Sequence, residues 1–115
     1  MQPGRFNFSL IQGDTFNTSP AWKVNNSYVN VTGYSAKMQV RQAVTSASVI
    51  VELSSANGRI VVGTIDGKFT ITLSATDSAA LPPGNYIYDL DITSPDGVKT
   101  TLLTGGFAVI AQVTV

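Results

Sequence analysis

The chain contains no cysteine and no histidine among its 115 residues. Without cysteine it can form no disulfide bond and offers no thiolate as a nucleophile or metal ligand. Without histidine it lacks the commonest general base and the commonest ligand of transition metals. Catalytic triads and thiol nucleophiles are therefore excluded. We expect a protein that is not an enzyme and that binds no metal and no other cofactor.

Charged residues are scarce as well. Seven lysines and arginines balance seven aspartates and glutamates, and together they make up 12% of the sequence, about half of the usual share. Nucleic-acid binding requires clustered cations, so we expect no nucleic-acid partner. A neutral, weakly charged surface favours a place inside an assembly over that of a free monomer. No run of about 18 apolar residues occurs, so we expect no membrane partner.

The sequence does contain strands with one apolar face. The clearest follows the Pro-Pro-Gly at 82–84, where every second residue is apolar: Tyr86, Tyr88, Leu90 and Ile92. The residues of the other face are Asn85, Ile87, Asp89 and Asp91. Such a strand must pack its apolar face on a second layer. We therefore expect this strand at the centre of a two-sheet core.

Comparable alternation predicts eight or nine short strands, with turns about every eight to twelve residues. Residues 75–80 predict at most one short helical turn, which Thr76 or Asp77 would cap. Gly105-Gly106 permits a break in the last apolar stretch. We expect one all-β domain over 1–115, an antiparallel two-sheet sandwich of immunoglobulin-like or jelly-roll type. Residues 1–5 would form a flexible arm.

Three groups of side chains could carry chemistry. Asp89 and Asp91 point the same way from one strand; they could bind Ca²⁺ or act as acid and base, but a solvated strand face is the simpler explanation. Lys37 and Arg41 share the polar side of a strand over 34–42, as a solvated face or as a contact stripe for an acidic neighbour. The tyrosines could form a sugar-binding platform or complete the core; they are Tyr28, Tyr34, Tyr86 and Tyr88.

Protein contacts are a further possibility. The segments 1–10 and 107–115 are apolar and alternating, and strands in such positions fray unless they dock. Contacts there would bury apolar strand faces and edges. The predicted contact residues are Phe6, Phe8, Lys37, Arg41, Phe107, Val109 and Val113.

The segment Leu-Pro-Pro-Gly-Asn-Tyr at 81–86 resembles the Leu-x-Pro-Gly-x-x-Tyr corner of fibronectin-type and other immunoglobulin-like domains. The resemblance implies that Leu81, Gly84 and Tyr86 are fold-corner residues, with the tyrosine bonded back to the corner. Gly84 and Tyr86 are one residue closer together than in the fibronectin pattern. The resemblance therefore implies the architecture and not membership of that family.

Nearly the whole chain resembles a family of small bacteriophage and prophage proteins. The matching stretches are Gln-Gly-Asp-Thr-Phe at 12–16 with Trp22, Val-Thr-Gly-Tyr-Ser-Ala-Lys-Met-Gln-Val-Arg at 31–41, the segment 72–90, and Leu-Leu-Thr-Gly-Gly at 102–106. The chain is similar to the N-terminal immunoglobulin-like domain of upper baseplate proteins of siphophages. Val31 stands where the family usually has leucine, and Ser35 where it usually has threonine.

The resemblance implies a non-enzymatic virion protein and brings no catalytic or cofactor residues with it. Its expected partners are other phage structural proteins in the tail or baseplate region. We expect a homo-oligomer within a particle that is assembled in the host cytoplasm. Two alternatives stay open, a capsid decoration protein on the phage head and a carbohydrate-binding module for host glycans.

Overall fold

The computed structural model describes residues 4–43 and 48–113. Within these ranges the chain forms eleven strands and one short helix. In chain order they are β1 (Gly4–Arg5), β2 (Phe8–Ile11), β3 (Phe16–Thr18), β4 (Lys23–Val24), β5 (Ser27–Tyr28), β6 (Ser35–Arg41), β7 (Val51–Ser54), β8 (Ile60–Val62), β9 (Phe69–Leu73), α1 (Ala75–Ala79), β10 (Gly84–Thr93) and β11 (Lys99–Ile110). Eight of these strands have three residues or more, in agreement with the predicted eight or nine.

The larger sheet has six strands and is centred on β10. Its order is β1-β11-β10-β6-β7, and β2 continues the line of β1 along the same side of β11. β10 is antiparallel to both of its neighbours, β11 and β6. Its alternating side chains are all buried: Tyr86, Tyr88, Leu90 and Ile92. The predicted central position of this strand is confirmed.

One edge of the larger sheet is parallel, which differs from the antiparallel arrangement that we expected. β1 and β2 both run parallel to β11, and Phe8 lies opposite Phe107. Both pairings keep the same register, so β1 and β2 act as one interrupted strand. Gly4 and Arg5, which were expected in a flexible arm, are strand residues. Residues 1–3 lie outside the described residues.

The smaller sheet has the order β3-β9-β8 and is antiparallel throughout. A hairpin of β4 and β5 stands apart from both sheets. Asn25 and Asn26 form its two-residue turn, with φ of 51° and 65°. Positive φ at both positions is the requirement of a type I′ turn, and asparagine tolerates it better than most residues.

The core lies between the two sheets and is rich in aromatic rings. Phe107 packs against Phe8 of its own sheet and Phe16 of the other, with ring centroids 6.3 and 5.6 Å apart. Phe107 is 1%, Val109 4% and Phe8 8% exposed. The prediction that Phe8, Phe107 and Val109 contact other proteins is therefore wrong, because β2 and β11 turn these side chains into the core.

The corner before β10 is built as the sequence predicts. The Tyr86 hydroxyl donates a hydrogen bond to the Pro82 carbonyl oxygen over 2.7 Å. Leu81 is buried in the core, and Gly84 begins β10 opposite Val109. Leu81, Gly84 and Tyr86 thus occupy the corner positions that the resemblance implied.

The single helical turn, α1, leads into this corner. Its N-cap is Ser74, whose hydroxyl accepts a hydrogen bond from the Asp77 backbone N–H over 3.1 Å. The sequence predicted Thr76 or Asp77 as the cap, and that prediction is wrong. The Asp77 carboxylate instead pairs with the Arg59 guanidinium at 2.9 Å. This ion pair ties the helix to the residue that precedes β8.

β11 runs without a break through Gly105 and Gly106, where the sequence permitted one. The interruption lies in the neighbouring segment, between β1 and β2. There the Tyr88 hydroxyl donates to the Phe6 carbonyl oxygen over 2.7 Å, and the Gly106 N–H donates to Asn7 Oδ1 over 2.9 Å. A side chain at Gly105 would collide with the Phe6 carbonyl oxygen. Glycine is needed at position 105 because the two backbones approach each other closely.

The strand order is that of a variable-type immunoglobulin-like sandwich. One sheet holds β3, β9 and β8, and the other holds β6, β7, β10 and β11 with β1 and β2. In the immunoglobulin scheme these are strands B, E and D against strands C, C′, F and G. The tyrosine corner at the start of the F strand completes the pattern. The fold is therefore all-β and immunoglobulin-like, which decides against a jelly roll.

Candidate protein-interaction face

One side of the larger sheet points away from the core, and we call it the outer face. On β10, Leu90 and Ile92 are buried, so Asp89 and Asp91, which alternate with them, point outward. The strand register brings further charged side chains to the same side. Seven of the chain's fourteen charged residues lie there: Arg5, Lys37, Arg41, Glu52, Asp89, Asp91 and Lys99.

The register arranges the outer face in rows that cross the strands. In one row Asp89 lies between Gln39 of β6 and Thr104 of β11. The row continues to Glu52 of β7 on one side and to Arg5 of β1 on the other. The Gln39 amide donates a hydrogen bond to Glu52 Oε1 over 2.8 Å. This row therefore forms a polar strip across the width of the sheet.

In the next row Asp91 lies between Lys37 of β6 and Thr101 of β11. The Thr101 hydroxyl donates to Asp91 Oδ1 over 2.9 Å, and Lys99 Nζ lies 3.4 Å from Asp91 Oδ2. The Lys99 side chain is 68% exposed, so this ion pair adds little to stability. Lys37 forms no hydrogen bond or ion pair with any described residue.

Two grooves follow the outer face. The larger, of about 470 Å³, is lined by residues that include Arg5, Asn7, Gln39, Arg41, Ile87 and Asp89. Within it the Arg41 guanidinium donates a hydrogen bond to Gln39 Oε1 over 2.7 Å. The second groove, of about 290 Å³, is lined in part by Lys37, Ser55 and Lys99. Asp91 borders both grooves and connects them.

Asp89 is the carboxylate most affected by this surface. Burial raises its pKa above the usual value, and the negative charge of Asp91 raises it further, while Lys99 and Arg41 act in the opposite direction. No described residue donates a hydrogen bond to the Asp89 side chain. A partly desolvated carboxylate without a donor gains stability when a bound partner supplies one.

The structure places the predicted contact residues in different regions. Lys37 and Arg41 lie together on the outer face. Phe6 and Val113 are 55% and 94% exposed, but they line neither groove. Of the residues predicted to contact other proteins, only the two cations therefore belong to this face.

Arg5, Glu52 and Lys99 complete the face, although sequence reasoning did not single them out as members of it. Glu52 could have been found, because it alternates with Val51 and Leu53 along a strand. The position of Arg5 depends on the parallel pairing of β1 with β11. No local sequence signal indicates that pairing.

The four tyrosines do not form a flat platform. Tyr86 and Tyr88 are buried. Tyr34 packs edge-on against Trp22, with ring centroids 6.2 Å apart and planes at 73°. Tyr28 is 52% exposed, and Lys23 Nζ lies 4.5 Å from the centre of its ring. One exposed ring thus remains, with a cation over one of its faces.

Residues 4–43 and 48–113 contain neither a cluster of metal-ligating side chains nor a membrane-spanning helix. No group of three or more acidic, cysteine or histidine side chains in these ranges could hold a metal ion. No helix there is long and apolar enough to cross a membrane.

No protein-family model and no curated protein matches the chain. Among solved structures, murine CRIg is similar over 92% of each chain, with 14% identity and a TM-score of 0.43. A Photobacterium 2,6-sialyltransferase is similar over 95% of this chain and 18% of its own, with 14% identity and a TM-score of 0.43. Extracellular domains 3–5 of Drosophila OTK are similar over 96% of this chain and 33% of theirs, with 13% identity and a TM-score of 0.33.

Proposed function

We propose that this protein is a non-enzymatic structural protein of a bacteriophage particle, which binds neighbouring virion proteins in the tail or baseplate region through its outer face. One observation carries the binding role: half of the charges of a weakly charged chain lie on one side of one sheet. Positive and negative side chains are interleaved there on regular strands. Such a surface suits a folded protein partner with complementary charges.

The place in a phage particle rests on the sequence resemblance. The motif at 31–41 includes all of β6, which supplies Lys37 and Arg41. The motif at 72–90 contains the tyrosine corner and the part of β10 that carries Asp89. The stretches that resemble phage proteins therefore include part of the outer face as well as core positions.

The shape and chemistry of the outer face favour binding over catalysis. Asp89 and Asp91 sit on one strand in grooves along a sheet, and the chain has no histidine or cysteine to act beside them. General acid–base catalysis needs a group positioned on a substrate's reacting atoms. Hydrogen-bonded rows of polar side chains instead present fixed donors and acceptors to another surface.

Fractionated particles test the proposal. Particles of the phage or induced prophage that encodes the chain are separated into heads and tails, and its peptides are quantified in each by mass spectrometry. We expect the chain in the tail fraction at a fixed ratio to a tail protein. Host lysate that contains the chain without particles, taken through the same separation, measures carry-over. Recovery with heads would favour capsid decoration, and absence from both fractions would contradict a virion role.

Tyr28 supports carbohydrate binding as a second candidate function, because its ring is exposed and aromatic rings stack on sugars. A glycan array probed with the protein, followed by calorimetry on any hit, tests it. Binding that disappears in Tyr28→Ala but persists in Phe6→Ala would favour this function. An array with no hit would exclude it for the glycans tested.

A further inference from the structure

The boundary between β10 and β6 pairs unlike groups side by side. Asp91 of β10 lies directly opposite Lys37 of β6, and Asp89 lies directly opposite Gln39. In each pair β10 supplies an acceptor and β6 supplies a donor. Lys37 and the Asp89 carboxylate have no hydrogen bond with any described residue. The boundary between β10 and β6 therefore holds a cation and a carboxylate, in neighbouring rows, that have no hydrogen-bond partner among the described residues.

We propose that the outer face binds the outer face of a second copy of this chain, about a two-fold axis that runs along the strands between β10 and β6. The inference deepens the proposed function, on which it rests, by naming one of the neighbouring virion proteins as another copy of the same chain.

A two-fold axis in this position exchanges β10 with β6. Each β10 residue then faces the β6 residue of the second copy that is equivalent to its own lateral neighbour. Asp91 faces Lys37 of the second copy, and Asp89 faces the Gln39 amide of the second copy. Because the interface is isologous, each contact occurs twice. Aligned sheets cross at about 30°, and the residues nearest the axis are displaced least by this angle.

The next pair of strands is also compatible with this arrangement. The axis exchanges β11 with β7, so the Thr104 hydroxyl faces the Glu52 carboxylate of the second copy. These two residues belong to the same row as Asp89 and Gln39. An axis along β10 itself would instead place each aspartate opposite its own equivalent. The charges thus favour the boundary between β10 and β6, because no like charges face each other there.

The size of the face predicts a weak dimer. Strands lie about 4.8 Å apart and rise about 3.4 Å per residue, so the four strand positions that overlap about this axis and the length of β6 give about 460 Å² in projection. A standard interface buries about 800 Å² of accessible surface on each partner. The corrugated outer face offers more accessible area than its projection, which places it at the small end of specific interfaces. Its interleaved charges set the register more than the affinity.

Charge reversal at one contact gives a sharp test. In Asp91→Lys each copy would place two cations face to face, and in Lys37→Asp each copy would place two carboxylates face to face. We expect the wild-type chain to dimerise with rising concentration in sedimentation velocity, and each variant to dimerise at least about tenfold more weakly. An equimolar mixture of the two variants should form a heterodimer, because one of its two contacts again joins opposite charges and the other is native. Native mass spectrometry identifies that heterodimer by its mass.

Three controls accompany the mixture. Asp96→Lys and Lys68→Asp change the same charges outside the outer face, so they should dimerise like the wild type. The double variant K37D/D91K restores opposite charges and should also dimerise. Thermal unfolding shows whether each variant is folded. Formation of the heterodimer in the mixture is a second check, because only folded chains can form it.

Two results would overturn the inference: a wild-type chain that stays monomeric at millimolar concentration, or a mixture that behaves as two separate monomers. Neither result would contradict the virion role. A monomeric chain found in the tail fraction would mean that the outer face binds a different virion protein.

Discussion

Two tyrosines of β10 each hold a backbone carbonyl from an earlier part of the chain. Tyr86 donates to Pro82 in the corner, and Tyr88 donates to Phe6 in the interrupted edge strand, both over 2.7 Å. The two residues are separated by one position and share the buried side of the strand. The hydroxyl oxygens of two neighbouring inward side chains therefore attach two separate segments, the corner before β10 and the edge strand near the start of the chain, to the same strand.

Replacing Tyr86 by phenylalanine removes one of these bonds. We expect Tyr86→Phe to lower the free energy of unfolding by about 1 kcal/mol, because the Pro82 carbonyl loses its donor while the ring stays packed. Urea denaturation followed by circular dichroism measures the change. Tyr34→Phe is the matched control, since no described residue bonds to the Tyr34 hydroxyl. Equal losses in the two variants would show that the corner bond contributes nothing.

Tyr88 makes the free energy of unfolding depend on pH in the alkaline range. Burial raises the pKa of Tyr88 from 10.0 to about 12, so in this range the folded state keeps a proton that the unfolded state releases. The free energy of unfolding therefore falls as the pH rises above about 10. The contribution of the neutral hydroxyl is complete below pH 10 and is lost as the pH rises through about 12.

Urea denaturation at several pH values between 9 and 12, in wild type and Tyr88→Phe, checks this expectation. The variant should show the flatter decline, because the other titrating groups are common to both proteins. Parallel curves would mean that Tyr88 ionises equally easily in the folded and unfolded chain.

At the scale of the strands, the edge formed by β1 and β2 depends on one glycine of β11. Gly105→Ala would drive a methyl group into the Phe6 carbonyl oxygen. We expect a loss of about 1–3 kcal/mol, the usual cost of an overpacked site. Amide hydrogen exchange should show lost protection in β2, while β10 and β6 stay protected.

Gly106→Ala is the neighbouring control. A Cβ at position 106 would meet Asn7 Oδ1 at 3.4 Å, an ordinary contact, so little change is expected. If Gly105→Ala kept full protection in β2, the close approach of the two backbones would not need glycine.

The central strands could be predicted from sequence because their signal is local. Apolar residues occupy every second position from Tyr86 to Ile92, and Ala36, Met38 and Val40 do the same on β6. The buried face of each strand can therefore be predicted from its own residues. The same alternation placed Lys37 and Arg41 on the outer side. The part of the outer face that lies on β10 and β6 was therefore within reach of the sequence.

Other features depend on partners that alternation cannot identify. The periodicity of β11 shows that the strand has two faces, but it does not show whether the apolar face packs into the core of the domain or against another protein. Phe107 and Val109 were therefore read as contact residues although they are core residues. The position of Arg5 depends on a parallel partner almost a full chain length away. Gly105 looked like a break because glycine weakens strands, whereas here it admits another backbone.

At the scale of the whole molecule, substitution of Phe107 tests whether its ring belongs to the core or to a surface that contacts a partner. Its ring joins the two sheets through Phe8 and Phe16. We expect Phe107→Ala to cost about 3–5 kcal/mol, a large part of the total stability of a typical domain. Thermal and urea unfolding measure this loss.

Val113→Ser is the comparison, because Val113 is 94% exposed. This variant should unfold like the wild type. A wild-type stability for Phe107→Ala would mean that the ring faces a partner, as the sequence first suggested.

The parallel edge also has a consequence for biosynthesis. Among the described residues, β2 finds its sheet partner only in β11, and Phe8 pairs with Phe107. At about 5–20 residues per second, the ribosome needs about 5–20 seconds to make the intervening chain. Phe8 and Leu10 therefore leave the ribosome early and dock late. For that interval the nascent chain exposes an apolar strand whose own partner has not yet been made, and unpaired apolar strands are prone to pair with other chains.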